Sequence, residues 1–139
     1  MKRARLRTIV YVDDEPDIRE VVQLSLELTE GLQVHTCESG EQALRMVPQL
    51  RPDLVLLDVM MPVMDGPATL QRLRAQQSLV ELPVIFMTAK IQPHEMAHYR
   101  MLGSAGVIAK PFDPATLARR VRELWREYHD GSAQAPPSP

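Results

Sequence analysis

The 139-residue chain holds a single cysteine, six glycines and only 4% aromatic residues, and no apolar run approaches the length of a membrane span. One thiol cannot make an internal disulfide, and Cys37, at the end of an apparent strand, reads as a small buried hydrophobe rather than a reactive group. The first residues lack the apolar core of a secretory signal, so a cytoplasmic protein is expected, with no membrane contact. Charge of either sign is scarce in excess: the net value is -2, which does not describe a general binder of polyanions. Residues 1–7 form a basic arm through Lys2, Arg3, Arg5 and Arg7, but no aromatic residues are interleaved to stack on bases. The arm therefore reads as a solvated leader, with no direct contact to nucleic acid expected. Repeats and internal linkers are absent too, and the length fits one globular domain, followed over residues 129–139 by a flexible Pro-rich tail.

What the chain does have is a pattern of apolar runs that stop at polar residues. Leu54-Val55-Leu56-Leu57 runs straight into Asp58, with Pro62 and Gly66 close behind, as in a strand buried on both faces that ends in a tight loop. A carboxylate there needs cations or hydrogen-bond donors, or a place at the open end of the strand. Residues 8–12 form a β-branched run that stops at Asp13-Asp14, and further strands are expected at 33–37, 83–88 and 107–109. Helices are expected from Pro16 to about Thr29, after a capping box of Ser39 and Gln42, from Gly66 to about Gln76, over 94–102, and from Pro114. In the first of these, Ile18, Val21, Val22, Leu24, Leu26 and Leu28 form a broad apolar face. Five strands alternating with five helices predict an α/β fold, a doubly wound parallel sheet with helices on both faces.

In such a sheet the carboxyl ends of all strands lie along one edge, where ligands bind. That edge collects Asp13, Asp14, Asp58, Thr88 and Lys110. Crowded carboxylates repel one another, and a hard divalent cation relieves this best; magnesium keeps waters and takes phosphate oxygens as further ligands, with manganese as a substitute. A hydroxyl and an ammonium beside it suit the remaining phosphate oxygens. Singly, Asp13 reads as a turn residue, Thr88 as an ordinary strand residue and Lys110 as a solvated cation. Their joint placement at strand ends argues otherwise.

The set Asp13-Asp14, Asp58 within LLDVMMPVMDG, Thr88-Ala89 and Lys110-Pro111-Phe112 closely resembles the receiver domains of two-component response regulators, over residues 8–128. The resemblance implies a flavodoxin-like (βα)5 three-layer sandwich with strand order 2-1-3-4-5. It also implies a phosphoacceptor with weak autophosphatase activity rather than a conventional enzyme: Asp58 takes a phosphoryl group from a sensor histidine kinase or phosphotransfer protein. Asp14 would ligate Mg²⁺ directly, Asp13 largely through water, and Asp58 and the Met60 backbone carbonyl would complete the protein ligands. Lys110, Thr88 and Ala89 would bind the phosphoryl group, and the Lys110-Pro111 peptide would be cis. The output target is unspecified, and a homodimer through the fourth helix, fifth strand and fifth helix is one arrangement the family allows. Val107 stands where receivers commonly carry a switch Tyr or Phe, and Met60 and Lys90 occupy the two variable flanking positions.

Other readings compete. A phosphorylation-independent interaction module would keep the fold without the chemistry. His94-Glu95-x-x-His98 matches the zinc-peptidase HExxH pattern, but the helix is short and no third ligand is evident. An Asp-nucleophile phosphatase of the haloacid dehalogenase type wants a second Asp where Met60 stands. Met60, Met61 and Met64 read as packing residues.

Overall fold

Two strands of this chain are apolar enough that neither face can meet water, and they form the middle of a sheet. In the computed structural model, which describes residues 5–28, 31–89 and 91–131, β3 (Leu54–Asp58) and β4 (Val84–Thr88) are buried at every position. They are joined by β1 (Thr8–Val12), β2 (Gln33–Cys37) and β5 (Gly106–Ala109) in one sheet of order β2-β1-β3-β4-β5, all neighbours parallel. The helices are α1 (Pro16–Glu27), α2 (Gly40–Leu50), α3 (Gly66–Arg74), α4 (Pro93–Met101) and α5 (Leu117–His129), with a 3₁₀ turn at Gln77–Leu79. This is the doubly wound, flavodoxin-like sandwich expected from the alternation and the resemblance.

Strand alternation divides the core in two. Ile9, Tyr11, Leu54, Leu56, Ile85 and Met87 face α1 and α5, against Val22, Leu26, Val121 and Trp125. Val10, Val12, Val55, Leu57 and Phe86 face α2, α3 and α4, against Ala43, Val47, Leu70, Leu73 and Tyr99. Burial of each large side chain is worth about 1.5–3 kcal/mol, which fixes strand register, because a one-residue slip would turn every one of them to the wrong layer.

Several expectations are corrected. The last helix begins at Leu117, not Pro114: the Asp113 carboxylate accepts the Ala115 N–H at 2.9 Å and its carbonyl accepts the Thr116 N–H at 3.0 Å, so a turn precedes the helix. The α1 apolar face is only half used, since Val22 and Leu26 are buried whereas Val21, Leu24 and Leu28 are exposed. Met61 and Met64 pack, but the Met60 side chain is 64% exposed. Ser39 does cap α2, accepting the Gln42 N–H at 3.1 Å, while Gln42 reaches back to the Glu38 N–H at 2.7 Å instead of closing the box on Ser39. Lys2 and Arg3 of the arm, Thr29, Lys90 and residues 132–139 of the tail lie outside the described residues.

Candidate functional site

The carboxyl edge of the sheet gathers the expected groups because three strands end in register there. Asp58 pairs with Met87 across β3 and β4, and Thr88 pairs with Ala109 across β4 and β5. The chain beyond β5 is tied back by the Lys110 N–H, which donates to the Thr88 carbonyl at 2.9 Å. On the other side, the Asp13 N–H donates to the Cys37 carbonyl at 3.1 Å, continuing the β1 ladder one residue past the strand.

At the centre of the edge, Lys110 Nζ donates to Asp13 Oδ2 at 2.9 Å and to Asp58 Oδ1 at 3.0 Å. Carboxylate oxygens of Asp13, Asp14 and Asp58 all lie within 4.8 Å of one another. Asp13 and Asp58 are buried and Asp14 is exposed at the mouth. Three carboxylates against one ammonium leave two negative charges, the deficit a single divalent ion would cancel. An octahedral ion with bonds of about 2.1 Å spans about 4.2 Å between opposed ligands, so the spacing fits an ion held directly or through water. Among the described residues, this is the one group of three or more acidic or metal-ligating side chains close enough to share an ion.

The electrostatics record the crowding. Burial pushes the Asp58 carboxyl up to about 6, the Lys110 hydrogen bond pulls against it, and the Asp13 and Asp14 charges push it further up. For Lys110, burial alone would lower the ammonium, but its bonds to Asp13 and Asp58 outweigh that and hold it above its ordinary value. Thr88 is buried at the end of β4 and Ala89 follows it, exposed. The Lys110-Pro111 peptide is cis. Val107 is buried in the layer that contains Tyr99.

Gly66 carries a constraint that its turn role alone does not reveal. A Cβ there would stand 2.6 Å from the Asp58 carbonyl oxygen and 2.9 Å from Val59 Cα, so only glycine lets α3 start this close to Asp58. The Gly66 N–H donates to the Val59 carbonyl at 2.9 Å, and Asp65 caps α3 through the Ala68 N–H at 2.9 Å. Sequence reasoning missed two neighbours of Asp13. The Tyr11 hydroxyl donates to Asp13 Oδ2, and Arg19 Nη1 donates to the Asp13 carbonyl at 2.7 Å. Tyr11 was open to detection, as a polar-tipped side chain two residues before an acid on the same strand face. Arg19 carried no comparable signal.

The HExxH segment does not assemble a metal site. His94 and His98 are exposed on α4, Glu95 turns back to accept the Gln92 N–H at 3.4 Å, and no third ligand joins them among the described residues.

Comparison with known proteins gives the same picture. A family model described as the response regulator receiver domain matches residues 9–122. The phosphate regulon transcriptional regulatory protein PhoB of Pseudomonas aeruginosa is 34% identical over 130 residues, covering 94% of this chain and 56% of that protein. The DNA-binding dual master transcriptional regulator RpaA of Synechocystis is 35% identical over 118 residues, covering 85% of this chain and 48% of that one. The structure of the Vibrio cholerae chemotaxis protein CheY4 superposes with a TM-score of 0.80 at 29% identity, covering 86% of this chain and 99% of that one. The chain spans about half the length of the curated relatives it matches. They overturn the expectation that nucleic acid has no place among the partners, since RpaA is DNA-binding by name and PhoB is a transcriptional regulator. The near-neutral charge behind that expectation is that of a chain matching about half of each of these relatives. Among the described residues no helix is long and apolar enough to cross a membrane. A family match across most of the chain, relatives above 30% identity and a shared fold agree: the chain belongs to the receiver domain family of response regulators.

Proposed function

We propose that residues 8–128 form a phosphorylation switch in which Asp58 is the phosphoacceptor. The observation that carries this reading is Lys110 Nζ, held 2.9 Å from Asp13 and 3.0 Å from Asp58 within a cluster of three carboxylates. A carboxylate oxygen of Asp58 attacks phosphorus in line. The new O–P bond forms as the bond from phosphorus to the donor's imidazole nitrogen breaks, and the imidazole leaves neutral once it takes up a proton. Lys110 moves its charge from the carboxylates to the incoming phosphoryl oxygens, and the Thr88 hydroxyl and Ala89 N–H receive the others. Asp13, Asp14, Asp58 and the Met60 carbonyl are the groups that would hold Mg²⁺ (or Mn²⁺), which when bound neutralises charge on the carboxylates and phosphoryl oxygens that otherwise repel. Water slowly hydrolyses the acyl phosphate and resets the switch, so the chain is a phosphoacceptor rather than an enzyme with a diffusible substrate.

The donor is a histidine kinase or phosphotransfer protein, which places the reaction in the cytoplasm. The output class we assign is transcriptional control, on the strength of relatives named for it. Incubation with acetyl phosphate and Mg²⁺ tests the chemistry. Intact mass is expected to show one labile phosphoryl group, lost in Asp58→Ala and on omission of the metal. An unmodified wild type would leave only a phosphorylation-independent binding module.

A further inference from the structure

Asp13 receives more hydrogen bonds than its neighbours in the acidic cluster. Its Oδ1 accepts the Glu15 N–H at 2.9 Å, and its Oδ2 accepts both Lys110 Nζ at 2.9 Å and the Tyr11 hydroxyl. Tyr11 is fully buried, its ring in the layer between the sheet and α1 and α5, beside Ile9 and Leu56. The buried ring fixes where the hydroxyl sits, and the hydroxyl donates to Asp13 Oδ2 from inside the core. A carboxylate oxygen accepts about two hydrogen bonds at good geometry. Oδ2 is therefore filled by Tyr11 and Lys110, and Oδ1, bonded to the Glu15 N–H, keeps one acceptor position.

From this we infer that Tyr11 is a positioning residue for the metal site, resting on the reading of that site as a Mg²⁺ centre. By occupying Oδ2 and locking the plane of the carboxylate, the phenol makes Asp13 present Oδ1 alone, in one orientation. Orientation of this kind matters most for Mg²⁺, which demands near-ideal octahedral geometry and keeps its waters, and little for Ca²⁺, which takes six to eight oxygens in flexible arrangements. Tyr11 thus favours the smaller ion. Partners of metal-bound carboxylates commonly change affinity by about tenfold or more when removed.

The experiment is calorimetric titration of wild type and Tyr11→Phe with Mg²⁺ and, separately, with Ca²⁺. The substitution retains the ring and its packing, and circular dichroism checks the fold. The expected result is a Mg²⁺ affinity about tenfold weaker, with Ca²⁺ affinity held within about twofold. Equal losses for both ions, or no loss for either, overturn the inference. A wild type that fails to bind Mg²⁺ overturns the metal-site reading and this inference with it, and is distinguishable because it appears before any variant is made. Should Tyr11→Phe not fold, Tyr99→Phe with Tyr128→Phe leaves Tyr11 as the sole tyrosine. Its ultraviolet difference absorbance is then expected to shift as Mg²⁺ saturates the site, and an unchanged spectrum overturns the proposal.

Discussion

At Asp58, burial and like charge push the carboxyl the same way, and only Lys110 pulls against them. The carboxyl is nearly inaccessible, two acids stand beside it, and one ammonium is shared with Asp13. Its folded value of about 6 lies above the ordinary 3.8. A group raised in the folded state adds its stability below about pH 4, and that contribution is lost as pH climbs through about 6. The metal-free protein is therefore expected to lose stability across that window. Asp58→Asn, which cannot ionise, is expected to be more stable than wild type above about pH 6, by on the order of 1–3 kcal/mol. Urea titrations at pH 4 and pH 7 without metal check this, and a variant less stable than wild type at pH 7 would show that the Lys110 pair outweighs burial. Added Mg²⁺ should narrow the difference at pH 7, because it stabilises only the form that binds it.

Among the elements, the loop from β3 to α3 shows where local backbone preference gives way to the site. The Met64 N–H donates to the Pro62 carbonyl at 2.8 Å, which closes a γ-turn around Val63 at φ 70°. A β-branched residue is strained there, and Val63 is 94% exposed, so its side chain repays nothing through packing. Val63→Gly removes a strain of about 1–2 kcal/mol and adds about 0.5–1 kcal/mol of unfolded-chain entropy, so a net gain of about 1 kcal/mol is expected. Denaturant unfolding measures it, and a variant no more stable than wild type would mean that the loop stores no strain at Val63. Nothing in the sequence marks this turn, because Pro62 and Gly66 announce a loop without specifying its path. The strands were legible for the opposite reason: Leu54 to Leu57 have no polar side to offer water, and one arrangement buries them. Asp13, Asp14, Asp58 and Lys110 meet where strand order alone would bring them. The start of α5 misled because Pro114 suits both the first turn of a helix and the turn that precedes one, and the Asp113 hydrogen bonds decide between them.

Across the whole molecule, α1 presents more apolar surface than the core can take. Its spacing of apolar residues resembles one continuous buried face, and packing against β1, β2 and α5 takes Val22 and Leu26 inward while Val21, Leu24 and Leu28 stay out. With Ser25, Pro114 and Ala115 these three line a groove of about 320 Å³ between α1 and the loop that leaves the site after Lys110-Pro111. An exposed apolar stripe on a helix, beside the edge where Asp58 lies, suits the apolar face of a donor's helix carrying the phosphohistidine. A small donor such as acetyl phosphate needs no such surface. Leu24→Ser with Leu28→Ser removes apolar area from exposed positions, which leaves fold stability within about 1 kcal/mol. Transfer from a phosphohistidine protein is expected to fall about tenfold, equivalent to about 1.4 kcal/mol of docking. The rate with acetyl phosphate should stay at the wild-type value. Parallel rate measurements with the two donors separate docking from chemistry: an equal fall in both would place the effect in the acidic site, and no fall in either would remove this face of α1 from donor recognition.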